Sequence, residues 1–343
     1  MKIAINGLGR IGRAFLKNAI TRDGVEISAV NDLGDLENLA YLLKYDTAYG
    51  VSDFDVHVED EGEVKHLVVG GRKIRFLSVR DPEELPWRDF GIDVVLESTG
   101  FFTHYEDAQK HLRAGAKKVV ISAPAKGTPV DGVEAGTVLM GINEGKLSEY
   151  QISSNASCTT NSSSPLIQIL HEAIGIEKAL LTTIHGYTAT QKIVDAPDKK
   201  DYRRGRAAAM NIIPTSTGAA VAVTQVVTDL QDKFDGIAMR VPVVVGSISD
   251  ITFIAKRNTS AEEVNEIFRK AAGEDRWKKT FAVTDEPLVS SDIIGNTHAS
   301  IADLGLTRVV DGNLVKVCAW YDNEWGYTNS LVEHVLIAGS HLS

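Results

Sequence analysis

The chain of 343 residues is long enough for two domains with a large hydrophobic core. Its 43% hydrophobic and 24% charged residues are typical of a globular protein, and its net charge of −10 argues against binding to nucleic-acid phosphates as a main role. Two cysteines are too few for a disulfide framework, and no apolar run reaches the length of a secretory signal or a membrane span, so we expect a cytoplasmic protein.

Residues 2–30 predict a strand, a glycine-rich turn, a helix and a second strand. The runs KIAI and VEISAV are short and apolar, and RAFLKNAI between them places Phe15, Leu16 and Ala19 on one helical face. Two more strands are predicted at 94–99 and 118–122, with a helix between them that ends at Gly115. This alternation is typical of a doubly wound parallel sheet.

The turn after the first strand has the pattern G-x-G-x-x-G, formed by Gly7, Gly9 and Gly12. The first glycine permits a tight turn, the second lets a pyrophosphate approach the backbone, and the third allows the helix to pack closely on the strand. Asp32 follows 20 residues later, where a carboxylate binds an adenosine ribose and repels a 2′-phosphate. The pattern therefore predicts an NAD site, against the alternative of an ordinary turn and a solvated aspartate.

Cys158 lies in the polar stretch SSNASCTTNSSSP. A thiol that only fills a core is usually surrounded by apolar residues, whereas Ser157, Thr159, Thr160 and Asn161 suit a partly exposed, reactive thiol whose pKa is lowered. Such a nucleophile needs a histidine partner, and nine histidines are available. His185 is attractive because hydroxyl residues follow it, but the pattern alone leaves the choice open.

Arginines later in the chain indicate anion sites. Arg203, Arg204 and Arg206 precede the turn PTSTG, and Arg240 stands alone in an apolar strand pattern. Arginine is the side chain best suited to bidentate phosphate contacts. A solvated loop or subunit contact for the cluster, and an internal salt bridge for Arg240, remain equally good interpretations at this point.

The second half of the chain is rich in strand patterns. Residues 236–256, ALLTTIHGY and LVKVCAWY predict an antiparallel or mixed sheet, and the last of these places Cys318 in a buried packing position. SAEEVNEIFRKAAG predicts a helix with a capping box formed by Ser260 and Glu263. A further helix is predicted near the C-terminus, at NSLVEHVLIAGSHL.

Ten stretches in matching order resemble the phosphorylating glyceraldehyde-3-phosphate dehydrogenases along essentially the whole chain. They are INGLGRIGR, ND at 31–32, LLKYDT, ESTGFFT, AGAKKVVISAP, SNASCTTN, TTIHGYTATQ, RRGRAAAMNIIPTSTGAA, RVPV and WYDNEWGY. The resemblance implies an NAD-dependent enzyme with two domains. The first is an α/β Rossmann domain formed by residues 1–157 with 322–343, onto which the last helix packs back. The second, residues 158–321, is an α+β catalytic domain with a largely antiparallel or mixed sheet.

The resemblance also assigns roles. Cys158 is implied as the nucleophile that forms a hemithioacetal and then a thioester, and His185 as its base. Thr188 and Arg240 are implied to bind the C3 phosphate of glyceraldehyde 3-phosphate. The implied site for the attacking inorganic phosphate consists of Ser157, Thr159, Arg204, Thr217 and Gly218. No metal is implied.

The implied NAD contacts come from both ends of the chain. Besides the three glycines and Asp32, they are Arg10, Ile11, Arg80, Ser122, Asn323 and Tyr327. Asn323 is implied to hold the nicotinamide carboxamide. Position 196 is frequently a leucine in NAD-specific bacterial members of the family. Because this chain has Ala196 there, the resemblance leaves some use of NADP open.

Three further positions depart from the commonest family pattern. Ser162 replaces a second cysteine, Gly186 follows the histidine where alanine or serine is common, and Val221 replaces a lysine. We expect the chemistry to be unaffected, while a local surface contact at Val221 is in doubt.

Two other functions compete with this interpretation. An erythrose-4-phosphate dehydrogenase would share the cysteine and the histidine, and a non-catalytic NAD-binding interaction protein would share the scaffold. The stretches HGYTATQ and PTSTG favour the glyceraldehyde-phosphate pattern. The resemblance further implies a homotetramer with a subunit contact at about 188–212, and neither a nucleic-acid nor a membrane partner.

Overall fold

The chain divides into two structural units. The computed structural model describes residues 1–199 and 201–342. The first unit contains Met1–Val138, Glu144–Ala156 and the residues from Leu331 on, and the second contains Leu139–Asn143 and Ser157–Ser330. These units are groups of residues in mutual contact, and the domain bounds implied by the resemblance stay a prediction.

The first unit alternates strands and helices, as its apolar spacing predicts. Its elements are β1 (Lys2–Asn6), α1 (Arg10–Ala19), β2 (Glu26–Asn31), α2 (Leu36–Lys44), β3 (Tyr45–Asp46), β4 (Gly50–Val51), β5 (Val56–Asp60), β6 (Lys65–Val69), β7 (Arg72–Leu77), α3 (Trp87–Phe90), β8 (Val94–Glu97), α4 (Tyr105–Arg113), β9 (Lys118–Ile121), β10 (Ala135–Thr137) and β11 (Ile152–Ser154).

Nine of these strands form one sheet in the order β10-β11-β9-β8-β1-β2-β7-β6-β5. The pairs from β10 to β7 are parallel, which confirms the doubly wound sheet. The pairs β7–β6 and β6–β5 are antiparallel and were not predicted. Short turns at Gly62 and Gly70–Gly71, all with positive φ, make this meander possible because they leave no room for a crossover helix.

The second unit contains most of the strands and helices from Cys158 on. Its elements are α5 (Cys158–Ile174), β12 (Ile176–Gly186), β13 (Ile213–Ser216), α6 (Ala219–Thr224), β14 (Phe234–Val241), β15 (Ser247–Ala255), α7 (Ala261–Ala272), β16 (Phe281–Thr284), β17 (Ser300–Asp303), β18 (Arg308–Val310), β19 (Leu314–Tyr321) and α8 (Trp325–Ser340), of which α8 continues into the first unit.

Its sheet is mixed, as predicted, in the order β13-β14-β12-β15-β19-β17-β16, with β18 paired to β19. The pairs β12–β14 and β16–β17 are parallel, and the others are antiparallel. Apolar residues of α5, α6 and α7 are buried together with the apolar residues of this sheet, including Leu166, Leu170, Val223 and Phe268. Burial of this apolar surface is the main stabilising contribution to the second unit.

Helix α5 was not predicted. Its sequence combines Pro165 with a run of serines and threonines, which are weak helix formers. Tertiary burial overrides propensity here: most of the helix is buried, and the hydroxyl of Ser163 donates to the carbonyl of Thr159, one turn earlier.

The capping box predicted for α7 forms only in part. The Ser260 side chain accepts a hydrogen bond from the Glu263 N–H, as predicted. The Glu263 carboxylate instead binds Arg257 and the Thr259 hydroxyl, because these stronger donors lie within reach.

Candidate active site

Cys158 is the first residue of α5. Ser157 caps this helix, and its hydroxyl oxygen accepts a hydrogen bond from the Thr160 N–H at 3.1 Å. The sulfur therefore lies at the positive end of a 17-residue helix dipole, which favours a thiolate. The serine before the cysteine was a capping signal that the sequence analysis did not use.

His185 lies beside this sulfur. It is at the end of β12, only 2% exposed, and its Nε2 is 3.3 Å from Cys158 Sγ. The edge of the Tyr321 ring packs against the imidazole at a centroid distance of 5.9 Å. Of the nine histidines that the sequence left open, the structure brings this one to the cysteine.

Sheet register brings Arg240 to the other side of the imidazole. Residues 185 and 240 are direct partners in the parallel pair β12–β14. Arg240 Nη1 is 2.5 Å from His185 Nδ1 and donates to the Gly186 carbonyl at 3.1 Å. His185 Nδ1 also lies 2.6 Å from the Gly186 carbonyl oxygen, so Nδ1 carries a lone pair when Arg240 donates to it and a proton when it donates to Gly186.

Burial controls the protonation of this pair. It raises the pKa of the Cys158 thiol, although the Arg240 charge and hydrogen bonds from Thr159 oppose it. The prediction of a lowered thiol pKa is therefore wrong for this state of the site, because desolvation outweighs the nearby cation. Burial, and then the Arg240 charge, lower the pKa of His185 to about 3, so cysteine and histidine are both neutral at pH 7.

Arg204 and Arg240, the two arginines implied to bind anions, have no carboxylate partner in the described residues. Among the described residues, no ion pair involves Arg204 or Arg240, and the Arg240 Nε is buried without a hydrogen bond. Burial lowers the pKa of Arg240, and the nearby charge of Arg204 lowers it further. Within the described part of the chain, the internal salt bridge considered for Arg240 does not form, and the cationic charge of Arg240 and Arg204 favours an anion here.

The other predicted anion-site residues have local partners. Arg204 Nε donates to the Thr215 hydroxyl at 2.9 Å, and the Thr217 hydroxyl accepts from the Ala219 N–H at 3.2 Å, at the start of α6. Thr188 Oγ1 lies 2.8 Å from the hydroxyl oxygen of Thr190. Gly218 is exposed, and no described contact joins it to Cys158.

A separate cavity of about 510 Å³ lies in the first unit, at the carboxyl ends of its parallel strands. Its lining residues are Asn6, Gly7, Gly9, Asn31, Asp32, Leu33, Val79, Arg80, Ser98, Thr99, Phe101 and Phe102. A doubly wound sheet binds its ligands at this edge, so the cavity is the candidate dinucleotide site.

The glycines of the turn fit a bound pyrophosphate. Gly7 has φ +97°, and a Cβ there would lie 2.7 Å from the Thr99 nitrogen, while a Cβ at Gly12 would lie 2.0 Å from the Gly7 oxygen. A Cβ at Gly9 would meet no atom within 4 Å, and Gly9 starts α1 without a side-chain cap. Open space in front of an uncapped helix N-terminus is suited to a phosphate group.

Two predicted dinucleotide contacts already have protein partners. Asp32 accepts hydrogen bonds from the N–H groups of Leu8 and Gly34, which holds its carboxylate at the cavity wall. The Arg10 guanidinium pairs with Asp46 through both of its terminal nitrogens. The backbone at Arg10, rather than its side chain, is therefore the better candidate for a pyrophosphate contact.

Comparison with known proteins decides the family. The model of the glyceraldehyde 3-phosphate dehydrogenase NAD binding domain matches residues 1–105, and that of the C-terminal domain matches residues 157–323. Proteins called glyceraldehyde-3-phosphate dehydrogenase from Mycobacterium avium and Streptomyces coelicolor are 48% and 46% identical to the chain, over 100% of it and 99% of their own length. The chain belongs to the glyceraldehyde 3-phosphate dehydrogenase family. It is an NAD-dependent oxidoreductase of this family.

Asn323 has an orientation that suits the role implied for it in this dehydrogenase family. Its side-chain oxygen accepts hydrogen bonds from the Gly246 N–H and the Ser247 hydroxyl, both at 3.0 Å. The amide nitrogen is therefore the group left to donate to a carboxamide oxygen. Of the remaining implied cofactor contacts, Arg80 is exposed in the cavity wall, Ser122 is half-buried and Tyr327 is buried.

Tyr321 is a site residue of this dehydrogenase that sequence reasoning missed. Its hydroxyl lies 2.9 Å from Thr159 Oγ1 and 2.7 Å from Thr183 Oγ1, so it joins the segment of Cys158 to the strand of His185. The strand pattern of LVKVCAWY predicted β19 but gave no partner for its last residue. Cys318, on the same strand, is buried as predicted.

Two departures from the family pattern have simple structural outcomes. Ser162 is buried in α5, and its hydroxyl oxygen accepts a hydrogen bond from Ser249 at 3.1 Å. Val221 is exposed on α6. Neither residue is in contact with the sulfur or the imidazole in the described structure.

Proposed function

We propose that this dehydrogenase oxidises glyceraldehyde 3-phosphate to 1,3-bisphosphoglycerate with NAD and inorganic phosphate. The observation that carries the proposal is a cysteine at a helix N-terminus, 3.3 Å from a buried histidine and close to Arg240, which in turn lies near Arg204. This arrangement provides a nucleophile, a base and anion-binding charge around one sulfur.

In the first step, Cys158 Sγ attacks the aldehyde carbon. A C–S bond forms, the thiol proton is transferred by way of His185 to the aldehyde oxygen, and a hemithioacetal results. The N–H groups at the start of α5 stabilise the oxygen while it carries negative charge. Arg240 and Thr188 hold the C3 phosphate of the substrate.

The second step oxidises the hemithioacetal to a thioester. NAD, when bound, accepts the hydride from the substrate carbon. His185 Nε2 takes the proton of the hemithioacetal hydroxyl. To do so, the imidazole must carry its other proton on Nδ1, where the Gly186 carbonyl, 2.6 Å away, accepts it.

Arg240 links substrate binding to that change of tautomer. Its guanidinium lies within hydrogen-bond distance of Nδ1, and donation to Nδ1 would keep the imidazole proton on Nε2. Donation to the substrate phosphate instead would free Nδ1 for a proton. Binding of the C3 phosphate would thus prepare His185 to act as a base.

The final step transfers the acyl group to inorganic phosphate. A phosphate oxygen attacks the thioester carbon, the C–S bond breaks, and the sulfur leaves as a thiolate that regains its proton from His185. Ser157, Thr159, Arg204, Thr217 and Gly218 are the proposed site for this phosphate. A thioester suits the transfer because it is a better acyl donor than an oxygen ester.

A direct test measures NADH formation with and without inorganic phosphate in wild type, Cys158→Ser and the matched control Cys318→Ser. We expect turnover to depend on phosphate, to fall at least a thousandfold in Cys158→Ser, and to persist in Cys318→Ser. Full turnover in Cys158→Ser would disprove the assignment of Cys158 as the nucleophile. A higher kcat/KM with erythrose 4-phosphate than with glyceraldehyde 3-phosphate would disprove the proposed substrate.

We further propose a homotetramer with a subunit contact at residues 188–212. Large apolar side chains are exposed in this segment, and Lys200 within it lies outside the described residues. The exposed residues are Ile193, Val194, Tyr202, Met210 and Ile212. Exposed apolar residues in such number are typical of an interface. Light scattering at micromolar protein should give four times the chain mass, and a monomer mass would disprove the proposal.

The absence of nucleic-acid and membrane partners and the cytoplasmic location stay predictions. No helix in the described parts of the chain has both the length and the apolar character needed to cross a bilayer. Cell fractionation tests the location, and retention in the membrane fraction would contradict it.

A further inference from the structure

Three buried hydroxyl groups in the second unit link the segment of Cys158 to the strand of His185. The Tyr321 hydroxyl lies 2.9 Å from Thr159 Oγ1 and 2.7 Å from Thr183 Oγ1, and we call these three groups the hydroxyl chain. Thr159, Thr183 and Tyr321 are 4%, 1% and 1% exposed. Because buried hydroxyl groups need hydrogen-bond partners, the three groups satisfy one another.

The Thr159 end of the hydroxyl chain reaches the active-site sulfur. Burial raises the pKa of the Cys158 thiol, whereas the Arg240 charge and then a hydrogen bond from the Thr159 side chain lower it. The proposed transfer to phosphate takes place at the carbon bonded to this sulfur. A phosphate that attacks this carbon must therefore come close to the Thr159 hydroxyl. Because a phosphate dianion offers mainly acceptor oxygens, the hydroxyl binds it only as a donor.

Each hydroxyl group has one proton to donate, so the hydroxyl chain has two orders of donation. In the inward order, Thr159 donates to Tyr321 and Tyr321 donates to Thr183. Thr183 then donates to the Ile248 carbonyl, 3.3 Å away. In the outward order, Thr183 donates to Tyr321 and Tyr321 donates to Thr159, whose own proton is free for the active site. The outward order gives up only the long contact with the Ile248 carbonyl.

The position of Tyr321 makes the outward order available. Burial, and then the Cys158 charge, raise the pKa of its hydroxyl, so this group keeps its proton at pH 7 and can donate it. The edge of its ring packs against the His185 imidazole, which fixes the ring independently of the hydroxyl. Phenylalanine at this position would keep the ring contact and leave the Thr159 hydroxyl without the donor that holds it.

We propose that Tyr321 is a positioning residue for inorganic phosphate: its hydroxyl donates to Thr159 and thereby directs the Thr159 proton to the phosphate that attacks the thioester. Phosphate selects the outward order, because only this order offers the anion a donor. Tyr321 itself acts through Thr159 and takes no part in the formation of the thioester. The inference rests on the proposed transfer to phosphate and on the role of Thr159 in it.

The experiment separates the two halves of the reaction in wild type and Tyr321→Phe. Without phosphate, the enzyme, NAD and glyceraldehyde 3-phosphate give a burst of NADH that reports formation of the thioester. With aldehyde and NAD at saturation, kcat/KM for phosphate reports the transfer. We expect kcat/KM for phosphate to fall about three- to tenfold, as for the loss of one neutral hydrogen bond. The burst rate should change by less than about twofold, because its steps do not use the phosphate site.

Thr183→Val is the matched control, because it removes the other partner of the Tyr321 hydroxyl and preserves the shape of the side chain. Without an acceptor at position 183, the Tyr321 proton is left for Thr159. The control should therefore keep kcat/KM for phosphate at least about threefold above the value of Tyr321→Phe. Thr159→Val removes the donor itself and should lose at least as much as Tyr321→Phe. General loosening of the buried hydroxyl chain would instead lower all three variants alike.

The outcomes distinguish this inference from the proposed function. Unchanged kcat/KM for phosphate in Tyr321→Phe, an equal loss in Thr183→Val, or a burst that slows as much as the transfer would overturn the role of Tyr321. Wild-type turnover that does not depend on phosphate would disprove the proposed function itself. If Tyr321→Phe cannot be purified as folded protein, Thr183→Val and Thr159→Val decide: a loss confined to Thr159→Val is expected, and equal losses would contradict the proposal.

Discussion

The glycine turn permits a prediction that separates cofactor binding from folding. Gly9 and Gly12 lie three residues apart, yet a methyl group has opposite surroundings at the two positions. At Gly9 a Cβ would meet no protein atom within 4 Å, and the backbone φ of −66° is allowed for alanine. At Gly12 a Cβ would lie 2.0 Å from the Gly7 carbonyl oxygen.

For Gly9→Ala we expect a small effect on stability and a large effect on NAD. Alanine is a poorer N-cap than glycine, which costs about 1 kcal/mol of the free energy of unfolding, or about 2 to 4 °C in Tm. The methyl group occupies the space in front of the N-terminus of α1. Loss of the helix–anion interaction, about 1 to 2 kcal/mol, should raise the Kd of NAD roughly 5- to 30-fold.

Gly12→Ala is the comparison variant. The methyl group collides with backbone, so α1 must move away from β1, at a cost of about 3 kcal/mol. Calorimetric titration with NAD and thermal unfolding of both variants provide the measurements. Wild-type NAD affinity in Gly9→Ala would refute the proposed pyrophosphate position, and an unchanged Tm in Gly12→Ala would refute the close helix–strand contact.

Three further predictions follow from charged and buried groups. Arg240→Met should lower kcat/KM for glyceraldehyde 3-phosphate about 30- to 100-fold more than for unphosphorylated glyceraldehyde, and equal losses would contradict a phosphate contact. Asp32→Ala should reduce the preference for NAD over NADP about tenfold in steady-state assays, because repulsion of the 2′-phosphate is lost; an unchanged preference would place the ribose elsewhere. Burial lowers the pKa of His334 from 6.5 to about 3. Between these two pH values the unfolded chain binds a proton at this histidine and the folded chain does not. The contribution of His334 to the free energy of unfolding should therefore be complete above pH 6.5 and decrease as the pH falls towards 3. His334→Gln should show a shallower dependence of Tm on pH in this range, and identical slopes in the two proteins would contradict the assignment.

The sequence by itself predicted the features that depend on residues close together in the chain. The glycine spacing, the strand before it and the acid after it depend on contacts within about 30 residues, and the structure has the turn, strand and helix where the pattern predicts them. The polar surroundings of Cys158 marked an unusual thiol, and the resemblance named its partner. Alternating and helical apolar periods also gave β12, β15, β19 and α7, since each of these elements buries one face.

Tertiary structure decided the arrangement of the site. Helix α5 forms in spite of Pro165 and many hydroxyl residues because burial in the second unit stabilises it, and it places the sulfur at a helix N-terminus. The pairing of His185 with Arg240 depends on strand register across 55 residues, which no local pattern encodes. The raised pKa of Cys158 likewise arises from burial among groups distant in sequence, because desolvation exists only once the chain has folded.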